Sequence, residues 1–94
     1  MKTIVIEDEK LAAERLEELI HEIDPSIEIS TKLTSVEQSI KYLKQNKPDL
    51  IFLDIQLEDG LSFSIFDKVD IDIPIIFTTA YDQYAIKAFK LNSV

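Results

Sequence analysis

Short apolar runs alternate along the chain with segments in which apolar residues recur every three or four positions. Residues 3–8 (TIVIED), 49–54 (DLIFLD) and 73–79 (IPIIFTT) are apolar runs that end in acidic or hydroxyl side chains. Runs of this length are typical of strands buried on both faces. Residues 27–33 instead alternate apolar and polar positions, as an edge strand with one wetter side does. The pattern therefore predicts four strands.

Helical spacing of apolar residues predicts four helices between and after these strands. They cover residues 9–24, 34–46, 61–69 and 82–91.

The ends of the first two helices carry recognisable signals. Asp8 precedes the first helix as a candidate N-cap, and Pro25 ends it. The second helix has two overlapping capping-box options, which are Thr34 with Glu37 and Ser35 with Gln38.

The order of these elements is strand, helix, strand, helix throughout. Such alternation predicts a parallel sheet that is covered on both faces by right-handed crossover connections. In sheets of this kind the functional crevice lies outside the carboxyl ends of the strands.

The composition limits the classes of function. The chain has 94 residues, of which 46% are hydrophobic, so one packed domain is expected. The absence of cysteine excludes a disulfide framework and fits a reducing cytoplasm. A net charge of −8 argues against direct binding of nucleic acid and is compatible with binding a cation. The apolar runs are too short to span a membrane, and the N-terminus does not resemble a signal peptide.

Chemically useful side chains follow three of the predicted strands. Glu7 and Asp8 end the first strand, Asp54 ends the third, and Thr78 and Thr79 end the fourth. Taken alone, each has an ordinary explanation as a helix cap, a turn residue or strand composition. Because the carboxyl ends of parallel strands share one edge of the sheet, we expect the three acids to meet there.

Closely spaced carboxylates repel one another unless a positive charge joins them. Mg²⁺ is a hard cation that takes oxygen ligands and commonly uses one or two carboxylates together with a phosphate oxygen. With Mg²⁺ in place, Asp54 could act as a nucleophile that forms an aspartyl phosphate, and a threonine hydroxyl could donate a hydrogen bond to the phosphoryl group.

At this point the chain resembles the receiver (CheY-like) domain of two-component response regulators. The matching segments are IVIEDE (4–9), PDLIFLDIQLEDG (48–60) and IPIIFTTAYDQYAIKAF (73–89). The last segment is most similar to receivers that precede a LytTR-type DNA-binding domain.

The resemblance implies a role for each site residue. Asp54 corresponds to the phosphoacceptor, which takes its phosphoryl group from a sensor histidine kinase. Glu7 and Asp8 correspond to the acidic pair that binds Mg²⁺, and the backbone carbonyl of Gln56 corresponds to a further metal ligand. Thr79 corresponds to the switch hydroxyl, with Thr78 as a second choice.

The resemblance also implies a flavodoxin-like doubly wound parallel sheet of order 2-1-3-4. It identifies residues 1–94 as a C-terminally truncated receiver, because the fifth strand, the fifth helix and the phosphate-contacting lysine of the family have no counterpart here. The loop after Asp54 is also short, since Gly60 follows six residues later and Glu58 stands where proline is common. An uncovered strand 73–79 and an apolar patch beside it lead us to expect a homodimer.

Three other functions fit parts of the pattern. A degenerate receiver would serve only as an interaction module. A haloacid-dehalogenase-like phosphohydrolase would also use an Asp nucleophile, but such enzymes require a second Asp two residues later, where this chain has Gln56. A flavodoxin-like flavin binder requires a hydroxyl-rich phosphate-binding loop after the first strand, where this chain has Glu7 and Asp8. We therefore expect a signalling domain rather than a turnover enzyme.

Overall fold

The computed structural model describes residues 1–78, which form a parallel sheet with helices on both of its faces. The strands are β1 (Lys2–Ile6), β2 (Glu28–Leu33), β3 (Leu50–Leu53), β4 (Gln56–Leu57), β5 (Gly60–Leu61) and β6 (Ile75–Phe77). The helices are α1 (Lys10–Ile23), α2 (Val36–Gln45) and α3 (Ser64–Lys68). The predicted helix 82–91 and Thr79 lie outside the described residues.

The main sheet has the order β2-β1-β3-β6, and every pair within it is parallel. Since β6 is the fourth of the predicted strands, this confirms the predicted order 2-1-3-4. The edge position predicted for β2 is also confirmed. Apart from α3, the predicted strands and helices of the described part begin and end within two residues of the observed bounds.

Alternating residues of the strands build two separate cores. On one face Ile4 and Ile6 pack with the buried side of α2 and with Ile65 of α3. On the other face Val5 and Phe52 pack against α1. Burial on both faces explains why the central strands read as continuous apolar runs rather than as alternating patterns. Within residues 1–78 we find no helix with the length and apolar character needed to cross a bilayer.

Helix α1 differs from the sequence-based expectation at its start. Its N-cap is Glu9 rather than Asp8, and neither side chain provides a capping hydrogen bond there. The predicted cap is therefore wrong, because the helix begins at Lys10 and the Asp8 carboxylate lies instead beside Glu7 and Asp54.

The apolar stripe of α1 is only partly buried. Ala13 and Ile20 face the sheet, whereas Leu11, Leu19 and Ile23 are 73%, 54% and 84% exposed. In β6, Ile76 is also 42% exposed, and the apolar patch expected beside strand 73–79 stays a prediction.

Helix α2 uses one of its two predicted caps. The backbone N–H of Gln38 donates to Ser35 Oγ at 3.0 Å. In a capping box the side chain of Gln38 would accept in return from the backbone N–H of Ser35. Here Gln38 Oε1 accepts instead from the backbone N–H of the preceding residue, Thr34, at 2.9 Å. The alternative cap through Thr34 and Glu37 is not formed.

The segment after Asp54 was expected to be a loop followed by a helix over 61–69, and the structure corrects this. Gln56 pairs with Leu61 and Leu57 pairs with Gly60 in a two-stranded antiparallel hairpin, β4–β5. Gly60 adopts φ 146°, a conformation that L side chains rarely take. The hairpin occupies the residues before Ser62, so α3 begins only at Ser64 and Leu61 is exposed.

Candidate functional site

The register of the sheet brings the candidate site residues together. Ile6 of β1 lies beside Leu53 of β3, so Glu7 and Asp54 leave adjacent strands at the same level. The backbone pairing continues by one residue on each strand. The N–H of Asp54 donates to Ile6 O at 2.9 Å, and the N–H of Thr78 donates to Leu53 O at 3.0 Å.

Glu7 is fixed from a second side. Its backbone N–H donates to Leu33 O at 2.9 Å, which ties the end of β1 to the end of β2. Its carboxylate Oε2 accepts a hydrogen bond from the backbone N–H of Glu9 at 3.2 Å. Both bonds hold Glu7 at the carboxyl edge of the sheet.

Glu7, Asp8 and Asp54 form one acidic cluster. Each offers a carboxylate oxygen, these oxygens lie within 4.8 Å of one another, and all three residues are half-buried. Within residues 1–78 this is the one group of three or more potential metal-binding side chains with such spacing. The structure therefore brings together the three acids that the sequence places at the strand ends.

The cluster is electrostatically unfavourable without a cation. The pKa of Glu7 is raised from 4.5 to about 7, chiefly because burial disfavours its charged form. The neighbouring Asp8 and Asp54 raise this pKa further, while the hydrogen bond from Glu9 opposes the change. A carboxyl group whose pKa is raised in this way is partly protonated near pH 7. It loses that proton readily when a cation binds beside it.

The residues present fit a hard divalent cation. Mg²⁺ binds oxygen ligands at about 2.1 Å, so two ligands of the same ion lie at most about 4 Å apart. The three carboxylate oxygens lie within 4.8 Å of one another, so at most a small inward movement or a bridging water is needed for them to share one ion. The chemistry of the site thus suits a cation that uses one or two carboxylates and retains several waters.

The remaining predicted site residues lie around this cluster. Gln56 is the first residue of the hairpin, two positions after Asp54. Thr78 follows β6 directly, and its Oγ1 is buried with no hydrogen-bond partner among the described residues. Thr79 falls outside the described part of the chain, so its predicted role stays a prediction.

The sequence reasoning missed the contact of the hairpin tip with α2. Asp59 accepts hydrogen bonds from the backbone N–H groups of Val36 and Glu37. The sequence signal for the hairpin itself was the Asp59–Gly60 dipeptide, and in the structure Gly60 supplies the positive φ directly after the turn residues Glu58 and Asp59.

Comparison with known proteins assigns the family of this chain. Residues 3–94 match the family model described as the response regulator receiver domain. The sensory transduction protein LytT of Bacillus anthracis is 40% identical over 97 residues, which cover all of this chain and 39% of that protein. The transcriptional regulatory protein LytR of Staphylococcus aureus is 40% identical over 96 residues, which cover 99% of this chain and 39% of that protein. The chain thus spans about two fifths of the length of these relatives.

Solved structures agree with this assignment. The response regulatory domain of the protein mrkE from Klebsiella pneumoniae superposes with a TM-score of 0.80 at 35% identity, covering 99% of this chain and 78% of that one. The receiver domain of PhyR from Erythrobacter litoralis gives a TM-score of 0.76 at 27% identity, covering 99% of this chain and 73% of that one. Family model, relatives and fold coincide, and the chain belongs to the receiver domain family of two-component response regulators.

Proposed function

We propose that this domain accepts a phosphoryl group on Asp54 from a sensor histidine kinase and passes the signal to an output domain. The observation that carries the proposal is the convergence of Glu7, Asp8 and Asp54 within 4.8 Å at the carboxyl edge of the sheet. Membership of the receiver family supports it.

The transfer consists of one bond broken and one formed. A carboxylate oxygen of Asp54 attacks the phosphorus of a phosphohistidine, the N–P bond breaks, and the imidazole keeps the bonding electron pair and takes up a proton. Glu7, Asp8, Asp54 and the backbone carbonyl of Gln56 would hold the ion. Bound Mg²⁺ would supply positive charge that offsets the charge of the phosphoryl oxygens.

The phosphoryl group would act as a switch rather than as a reaction product. It adds negative charge at the carboxyl edge of the sheet, and a hydroxyl group such as that of Thr79 would donate a hydrogen bond to it. We therefore propose a two-state signalling domain and expect no catalytic turnover of phosphate esters.

The output is proposed from the relatives. LytT is named for sensory transduction and LytR for transcriptional regulation, and both are longer than this chain. We propose that residues 1–94 act as the receiver domain of a cytoplasmic transcription regulator with a LytTR-type DNA-binding domain. The net charge of −8 makes the receiver itself a poor ligand for nucleic acid.

A homodimer is the further part of this proposal. Among the described residues, β6 pairs only with β3, at the end of the sheet. Ile76 of that strand is 42% exposed. An apolar edge strand of this kind favours pairing with a second copy, in line with the homodimer expected through strand 73–79.

The direct test is phosphorylation by acetyl phosphate in the presence of Mg²⁺, followed by intact-mass measurement. We expect the wild-type protein to gain one phosphoryl group and Asp54→Asn to gain none. Asp70→Asn, which changes an exposed aspartate outside the cluster, serves as the matched control and should label like the wild type. Labelling that persists in Asp54→Asn would contradict the role of Asp54, and a folded wild-type protein that never labels would indicate a degenerate receiver.

A further inference from the structure

The hairpin β4–β5 connects the candidate site to the start of helix α2 through its tip. Asp59 Oδ1 accepts from the backbone N–H of Val36 at 2.7 Å, and Asp59 Oδ2 accepts from the backbone N–H of Glu37 at 3.0 Å. Beside it, Thr34 Oγ1 donates to Glu58 Oε1 at 3.2 Å. These bonds join residues that are more than twenty positions apart in the chain.

The contact at Asp59 is a charged one. Two backbone donors at the positive end of a helix face one carboxylate, and such charge-assisted bonds are stronger than neutral ones. Both bonds lower the pKa of Asp59, and the bond from Val36 has the larger effect. Asp59 therefore carries its negative charge under ordinary conditions.

The same contact completes a closed path of bonded segments that includes Glu7 and Asp54. On one side Asp54 runs directly into the hairpin that carries Gln56 and Asp59. On the other side Glu7 is bonded through its backbone to Leu33, at the end of the strand that leads into α2. The bonds of Asp59 join these two sides, so they fix the segment after Asp54 relative to the segment that holds Glu7.

We infer that Asp59 is a positioning residue for the metal site, holding the hairpin so that the backbone at Gln56 and the carboxylate of Asp54 stay in place opposite Glu7. This inference rests on the proposed function, because it assigns a role in binding Mg²⁺ to a residue that does not touch the ion. Outer residues that orient metal ligands typically change metal affinity by tenfold or more.

Helix α2 offers a matched control for a purely structural role. Ser35 caps the same helix turn by accepting from the N–H of Gln38, and within residues 1–78 no hydrogen bond joins its side chain to the hairpin. Removing either cap weakens the start of α2 by a comparable amount. Only removal of Asp59 releases the hairpin.

The experiment compares wild type, Asp59→Ala, Asp59→Asn and Ser35→Ala by calorimetric titration with MgCl₂ and by hydrogen exchange of the metal-free proteins. We expect Asp59→Ala to raise the Kd for Mg²⁺ about tenfold and to speed exchange in residues 55–61. We expect Asp59→Asn, which keeps one acceptor oxygen, to lie between wild type and Asp59→Ala. Ser35→Ala should leave both quantities close to wild type.

Each other outcome has a definite meaning. An equal loss of affinity in Ser35→Ala and Asp59→Ala would overturn the inference in favour of helix capping alone. Unchanged affinity and exchange in Asp59→Ala would also overturn it, since the burial of Leu57 would then suffice to hold the hairpin. If Asp59→Ala fails to fold, the comparison of Asp59→Asn with Ser35→Ala decides. A wild-type protein that binds no Mg²⁺ would refute the proposed function, and hydrogen exchange of residues 55–61 would still report whether Asp59 fixes the hairpin.

Discussion

Glu7 is expected to make both Mg²⁺ binding and the stability of the metal-free protein depend on pH. Its pKa is raised to about 7, so near neutral pH a substantial fraction of the metal-free protein carries a proton on this carboxyl group. A metal ligand must lose that proton before it binds. The protonated fraction falls from about nine tenths at pH 6 to about one tenth at pH 8, so the apparent affinity for Mg²⁺ should rise about tenfold over this range.

The stability of the metal-free protein should change in the opposite direction. Between pH 4.5 and about 7 the folded state holds a proton on Glu7 that the unfolded state has released. The free energy of unfolding falls with rising pH wherever the folded state binds more protons than the unfolded state. The contribution of protonated Glu7 to stability is therefore lost as the pH rises through this range. A shift of this size corresponds to about 3 kcal/mol for a fully desolvated group. Contact of the half-buried side chain with water reduces the effect to about 1 kcal/mol.

The assay is urea unfolding of wild type and Glu7→Gln between pH 5 and pH 8 in the presence of a chelator. Glutamine imitates the protonated acid and keeps an acceptor for the N–H of Glu9. The two proteins should have similar free energies of unfolding at pH 5, and the variant should be about 1 kcal/mol more stable at pH 8. Glu14→Gln, an exposed change on α1, controls for the loss of one negative charge.

A constant difference between wild type and Glu7→Gln across the pH range would refute the electrostatic reasoning. So would a titration in which the affinity for Mg²⁺ is the same at pH 6 and pH 8, because metal binding would then displace no proton from the cluster.

Two further predictions concern the core and the edge of the sheet. Ile75 and Ile76 are neighbours in β6 that are 0% and 42% exposed, so Ile75→Ala should cost about 2–5 kcal/mol of unfolding free energy and Ile76→Ala less than about 1 kcal/mol in chemical denaturation. Equal losses would mean that the two faces of β6 are not packed as described. In sedimentation at micromolar concentration the chain should form a dimer, and Ile76→Lys should shift it toward monomer. A wild-type chain that stays monomeric under these conditions would contradict the proposed edge contact.

The sheet could be predicted from the sequence because its signal is repeated. The central strands are apolar without interruption, and each is followed by residues at helical spacing, so the parallel arrangement follows from few alternatives. The convergence of Glu7, Asp8 and Asp54 then needed only the rule that the carboxyl ends of parallel strands share an edge. The order of the strands came from the family resemblance rather than from the pattern.

The hairpin and the cap of α1 were missed for a different reason. The bonds of Asp59 to α2 join residues that are more than twenty positions apart, and such contacts leave little trace in local periodicity. Asp8 has the chemistry of a helix cap, but the adjacent carboxylates of the cluster and the later start of α1 give it another position. The exposure of Leu11 likewise depends on what packs against α1 and not on helical spacing.

The fold tolerates the acidic cluster because the strand residues directly before the carboxylates are buried. Ile6 and Leu53, the residues before Glu7 and Asp54, are each 1% exposed, and burial of such a side chain contributes about 2 kcal/mol. The unfavourable charge on Glu7 costs about 1 kcal/mol, so the strand ends stay ordered while the carboxylates above them repel one another. A bound metal ion would relieve that repulsion, and phosphorylation of Asp54 would add charge to the same place. The buried strands below would stay in place, so the hairpin and the other segments beyond the strand ends would be the parts that respond to the added charge. A phosphorylation switch requires such an arrangement.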